Sequence, residues 1–134
     1  MKAQDLRIGN FCAWGYLDET IYPERLGTIC NITNKSVLVK TKTHKHTVGI
    51  DRVMSIPLTE DWLVKFGFKH YDNETKMYDK GDYTFCLDRF TFWDYTIDEG
   101  YLIATEIKHV HQLQNLYFAL TGEELTINEK SPTI

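Results

Sequence analysis

The chain lacks a long apolar run and a paired cysteine framework. No uninterrupted apolar segment approaches the roughly 20 residues that a bilayer-spanning helix needs, which excludes a transmembrane helix. The run Met1-Lys2-Ala3-Gln4-Asp5-Leu6-Arg7-Ile8 is without the roughly 7 to 15 apolar residues of a signal peptide, so a cytoplasmic protein is expected. Cysteine is sparse and odd in number: Cys12, Cys30 and Cys86 lie far apart in apolar or alternating segments, as buried reduced thiols do. No internal repeat and no long linker divides the chain.

What is present is core-forming material. The 134 residues are 43% hydrophobic, include three Trp, eight Tyr and seven Phe, and carry a net charge of only −4, a balance that excludes intrinsic disorder. A chain of this size buries about two-thirds of its extended surface on folding, enough for a core without metal or disulfide support. The charge is uneven. Residues 35–52 hold Lys35, Lys40, Lys42, Lys45 and Arg52 against Asp51 alone, whereas residues 53–134 hold 7 basic and 14 acidic side chains. A basic block in an acidic body can steer a polyanion at short range.

Short strands with turn signals fill residues 6–57. Phe11 to Trp14, Leu26 to Ile32, Val37 to Thr41 and His46 to Gly49 read as strands, Ile50 to Val53 as a helical turn, and Met54 to Ile56 as a last strand stopped by Pro57. A long first loop, tight later turns and a helical turn before the final strand predict an SH3-like small barrel. Residues 58–67 carry a helix signature. Thr59 is the N-cap candidate, Glu60 and Asp61 place negative charge in the first turn, Leu58 and Leu63 form a staple, and Gly67 is the stop. From Phe68 to Ile107 the period returns to two, with turns too short for parallel crossovers, so an antiparallel meander is expected. Val110, Leu113, Leu116, Tyr117 and Leu120 then mark one face of a helix ending at Gly122. Gln112, Gln114 and Asn115 are read as its outward side, and the tail from Asn128 as frayed.

Four groups of residues could carry chemistry. The pairs His44/His46 and His109/His111 have a spacing that brings imidazoles to one face of a strand, but no Cys-x-x-Cys accompanies them, and no metal site is assigned. Asp79, Asp82, Asp88, Asp94, Asp98 and Glu99 could converge across a meander to hold a cation or act as acid and base, but they fall mostly where turns are expected. The motif G-x-S-x-G and a glycine-rich phosphate loop are absent, so no catalytic residue and no cofactor are assigned. The basic hairpin offers Lys40, Lys42, Lys45 and Arg52 to nucleic acid, with Trp14, Tyr16 or Tyr22 as stacking surfaces; lysines also guard sheet edges. Finally, Phe90-Thr91-Phe92-Trp93-Asp94-Tyr95 leaves neither face of a strand polar, which makes Phe92, Trp93 and Tyr95 candidates for contact with a partner.

Three segments, Leu6-Arg7-Ile8-Gly9-Asn10, the block Ile56-Pro57-Leu58-Thr59-Glu60-Asp61-Trp62-Leu63-Val64-Lys65-Phe66-Gly67-Phe68, and the block from His111 to Leu125 (HQLQNLYFALTGEEL), resemble a family of small uncharacterised Bacteroidales proteins. That family is encoded on chromosomes and on prophage-like or other mobile elements. The resemblance covers about a quarter of the chain. It implies a bacterial intracellular setting and a mobile-element association, and brings no catalytic residue with it.

The expectation is thus an α+β chain: an SH3-like barrel lobe over residues 1–57, then over 58–134 a short helix, an antiparallel meander and a C-terminal helix packed on that meander. The expected function is a non-enzymatic protein-interaction module that binds a protein partner or itself and no membrane. The alternative is nucleic-acid binding through residues 35–52.

Overall fold

The computed structural model describes residues 5–15, 20–71, 74, 76–96 and 99–127. The fold is α+β, with two five-stranded antiparallel sheets and two α-helices, and the chain divides into two compact units. Tyr16, Asp98 and the tail from Asn128 lie outside the described residues.

The first unit opens with β1 (Phe11–Trp14), β2 (Leu26–Ile32), β3 (Ser36–Lys40), β4 (Lys45–Gly49) and β5 (Val53–Met54). The strand order is β4-β3-β2-β1-β5, so β5 returns to pair with β1 and the sheet curls into a half-barrel. One-turn 3-10 helices, Pro23–Arg25 and Ile50–Arg52, precede β2 and β5. Alternation decides which side chains go inward. Cys12, Trp14, Ile29, Val37, Val39, Val48 and Val53 form one buried cluster with Leu6, and Val37 faces Val48 across β3 and β4. Gly27 permits the curl between β2 and β3: a Cβ there would sit 2.6 Å from Val39 Cγ1 and 2.7 Å from the Lys40 carbonyl oxygen. A bulge between Ile29 and Asn31 adds to the bend.

The second unit begins with α1 (Glu60–Lys65), followed by β6 (Lys69–His70), β7 (Met77–Lys80), β8 (Tyr83–Cys86), β9 (Thr91–Asp94) and β10 (Tyr101–Ala104), in the order β10-β9-β8-β7-β6. The meander expected from the short turns is present in full. Tyr78, Phe85 and Phe92 are cross-strand neighbours and fully buried, so they define the core face. On α1, Trp62 and Leu63 are buried along with Phe66 just beyond it, and Lys80 Nζ donates to the Phe66 carbonyl at 2.9 Å, which ties the helix end to β7. Glu60, at the other end of α1, lies near the Tyr78 phenol; burial first, then that carboxylate, pushes the phenol's pKa up. Gly67, at φ +89°, makes the left-handed stop that the sequence implied.

The last helix, α2 (Val110–Thr121), belongs to the first unit and not to the meander, contrary to the sequence expectation. It lies against β1, and the reason is polar as well as apolar. Val110, Leu113 and Tyr117 are buried as the periodicity required, but so is Gln114, which was expected to face outward. Its Oε1 accepts from the Phe11 amide at 2.8 Å and its Nε2 donates to the Gly9 carbonyl at 3.1 Å. Asn115 Oδ1 accepts from Asn10 Nδ2 at 2.7 Å and from Arg7 Nε at 3.1 Å, and Arg7 pairs with Glu124. The side chain at Gln114 therefore hydrogen-bonds the backbone on either side of the start of β1.

Between β5 and α2 the chain makes its excursion through residues 58–108. The excursion leaves and returns at one point of the first unit, since Pro57 and His109 are bridge partners and the Val110 amide donates to the Ile56 carbonyl at 2.9 Å.

Candidate functional site

The aromatic strand is covered differently from the sequence expectation. Phe90 is not in it: at φ 56° it is left-handed and sits in the turn before β9, so the apolar run is broken at its first residue. Phe92 is wholly buried on the core face beside Tyr83, with ring centroids 5.5 Å apart, and cannot meet a partner. That corrects its candidacy. The reason is register: Phe92 faces Phe85, the centre of the sheet's apolar row. Trp93, on the opposite face, is half-buried, donates from Nε1 to Thr91 Oγ1 at 3.1 Å and stacks on Tyr95. Tyr95 is exposed.

Sequence reasoning passed over the strand next to it. β10 is an edge of its sheet, and Tyr101, Leu102 and Ile103 are 53%, 48% and 37% exposed. Leu102 faces Trp93 and Ala104 faces Phe92, with a bulge between them that leaves Ile103 outside the register. No charged residue occurs from Gly100 to Thr105. An exposed edge without charge is unusual, because sheet edges are ordinarily blunted with lysine, proline or a cover. Three consecutive apolar residues without alternation were the available signal.

The basic residues are only partly gathered. Lys40 and Lys45 face one another across β3 and β4, and Lys42 lies in the tip closed by the Thr41 amide donating to the His44 carbonyl at 2.8 Å. Arg52 is in the 3-10 turn beyond the far end of β4, a strand about 13 Å long, where its Nε reaches the Gly15 carbonyl at 3.5 Å. Lys40, Lys42 and Lys45 thus cluster and Arg52 stands apart. Trp14 is buried and its ring meets His46, at 5.2 Å between centroids, so it is no open stacking platform; Tyr22 carries the Arg25 guanidinium over its ring.

Histidine, cysteine and carboxylate groups are dispersed. The His44 and His46 rings lie 6.1 Å apart, and those of His109 and His111 6.0 Å apart. Among the described residues no three His, Cys, Asp or Glu side chains are grouped to hold a metal ion. His111 is buried in the first turn of α2, and burial above all, with His109 beside it, lowers its pKa to about 4. Cys12 is buried in the half-barrel, where desolvation pushes its thiol up to about 12; it stays protonated and unreactive at neutral pH. All three cysteines are free thiols. Of the carboxylates, Asp79 and Asp82 line one surface pocket, while Asp94, the last residue of β9, accepts from the Thr96 amide at 2.8 Å. No helix is long and apolar enough to cross a membrane among the described residues.

Set beside protein-family models, characterised proteins and solved structures, the chain matches none.

Proposed function

We propose that this protein is a non-enzymatic interaction module, with an SH3-like first unit, that associates with a second copy of itself through the β10 edge. The observation that carries the reading is the uncharged, exposed apolar edge from Tyr101 to Ile103. An antiparallel pair of identical strands around a two-fold axis brings each residue against its own kind or a near neighbour, so a strand without charge can pair with itself without like-charge repulsion. The added strand would satisfy edge amides and carbonyls and remove the three side chains from water. The intracellular, mobile-element setting implied by the Ile56–Phe68 and His111–Leu125 blocks is compatible with such a module.

Light scattering on a size-exclusion column tests this. The expected result is a dimer that dissociates on dilution, and a monomer when Leu102→Lys and Ile103→Lys are combined with the circular dichroism spectrum unchanged. A wild-type monomer at every attainable concentration overturns it.

Nucleic-acid binding is the second reading, and one observation favours it: Lys40 and Lys45 stand directly opposite across two strands, an arrangement that costs stability unless an anion sits between them. Charge reversal at both lysines with unchanged binding in a salt titration eliminates it.

A further inference from the structure

A surface pocket of about 520 Å³ opens in the second unit, in the range of small-ligand sites. Its lining includes Tyr71, Met77, Asp79, Asp82, Thr84 and Tyr95. Strand alternation fixes which face it is on. Asp79 and Thr84 are cross-strand partners one residue along from the buried pair Tyr78 and Phe85, so they belong to the face turned away from the core. Tyr71 and Tyr95 are 64% and 41% exposed, and offer two aromatic walls. The Tyr95 ring lies over Gly100, at φ +71°, where any side chain would collide with it.

Apart from the two tyrosine hydroxyls, the polar side chains in the lining have a one-sided chemistry. Carboxylates accept hydrogen bonds and donate none. Thr84 is 7% exposed, and its hydroxyl already gives its proton to Asp79 Oδ1 at 2.6 Å. Among the described residues no lining residue is basic; Lys69, the exposed cross-strand neighbour of Asp79, is outside the lining. Among the described residues neither Asp79 nor Asp82 forms an ion pair. The site therefore presents π faces, negative charge and acceptors, with the Tyr71 and Tyr95 hydroxyls as side-chain donors. The carboxylates repel an anion and attract a cation, and the ring faces add to the attraction for a cation and not for a neutral saccharide.

We propose that this pocket binds an organic cation of the alkylammonium or guanidinium class, held between Tyr71 and Tyr95 and neutralised by Asp79 and Asp82. The proposal does not rest on self-association, which light scattering reads separately from the titration below.

The test is a titration of ¹⁵N-labelled full chain, followed at the Gly81 and Thr84 amides. Choline and Nα-acetyl-arginine ethyl ester are expected to give saturable shifts. Their uncharged counterparts, 3,3-dimethylbutanol and Nα-acetyl-citrulline ethyl ester, should bind at least tenfold more weakly. Combining Asp79→Asn with Asp82→Asn should weaken both cations at least tenfold, because asparagine keeps an acceptor for Thr84 and removes only the charge. If that pair does not fold, Asp82→Asn and Tyr71→Ala, both at exposed positions, carry the same expectation singly. The pentapeptide Gly-Gly-Arg-Gly-Gly separates the sources: binding well above that of the ester assigns the cation to a protein side chain, and equal binding assigns it to a free small molecule. Equal affinity for charged and uncharged probes, no saturable shift with either cation, or tighter binding of maltose overturns the proposal.

Discussion

At the residue scale, His111 and Gln114 show how much a buried polar side chain depends on what faces it. Gln114 is satisfied at both ends of its amide and holds α2 to β1; removing it would take one partner each from the half-buried Phe11 amide and Gly9 carbonyl, at about 1 kcal/mol per hydrogen bond. His111 is the opposite case. Its Nδ1 is buried without a hydrogen-bond partner among the described residues, and it sits at the positive end of a helix with His109 near and Asp5 as the opposing charge. A lowered pKa means the native ring stays neutral down to about 4, while the unfolded ring takes up a proton near its usual 6.5. In that window the unfolded chain binds more protons, so stability is full above pH 6.5 and falls as the pH drops toward 4. Allowing for partial solvent screening of the ring, the loss is about 2 kcal/mol. Urea unfolding across pH 7 to about 4.5 should show it, and His111→Leu should flatten the curve relative to wild type; parallel curves would show that the ring does not report this loss.

At the scale of single elements, much was legible. Alternation located β1, β2, β3 and β4 within a residue or so, and Thr59 with Gly67 bracketed α1, because in these segments the side-chain period and the left-handed Gly67 agree with the tertiary packing, although the Thr59 side chain makes no capping hydrogen bond. What could not be read was the address of an element. A 3.6-residue stripe says that α2 has an apolar face, but the same stripe suits a meander or a half-barrel, and the deciding contacts are amides of Gln114 and Asn115 that read as solvent-facing. The candidate site suffered likewise. Phe92 and Trp93 alternate as expected, yet which of the two is wholly buried depends on the row formed with Phe85 and Tyr78. The turn residue Phe90 defeats prediction because a bulky side chain seldom takes positive φ. Gly27 offers a sharper test of an element. Since a Cβ would meet the Lys40 backbone, which cannot swing aside, Gly27→Ala should destabilise the protein by about 2 kcal/mol, read from the midpoint of chemical denaturation. An unchanged midpoint would mean that the β2–β3 curl relaxes freely.

At the scale of the whole molecule, the basic block and the acidic remainder belong to different parts of the fold. Lys40, Lys42 and Lys45 are on the half-barrel, and the uncharged edge and the acidic pocket are on the meander. The division of the chain makes this separable. Because Pro57 and His109 are bridge partners, their Cα atoms are about 5 Å apart, a gap that a two-residue turn closes. Replacing residues 58–108 by Asn-Gly should leave a folded half-barrel with α2 attached, recognised by a cooperative thermal transition and dispersed amide resonances. Loss of the transition would show that the first unit needs the meander to stand.

The same bridge sets a timetable for synthesis. Asn10 and Asn115 are 105 positions apart, so a ribosome releases the whole half-barrel sheet long before the helix that bonds to its first strand. The meander, whose sheet and α1 come from one uninterrupted stretch, can form during that wait. Once formed, it replaces a floppy tether of some fifty residues by two chain ends held side by side, and it shortens the search by which α2 finds β1. A chain free of the ribosome only as far as residue 108 would therefore carry the five meander strands without Leu125, and a half-barrel sheet without α2.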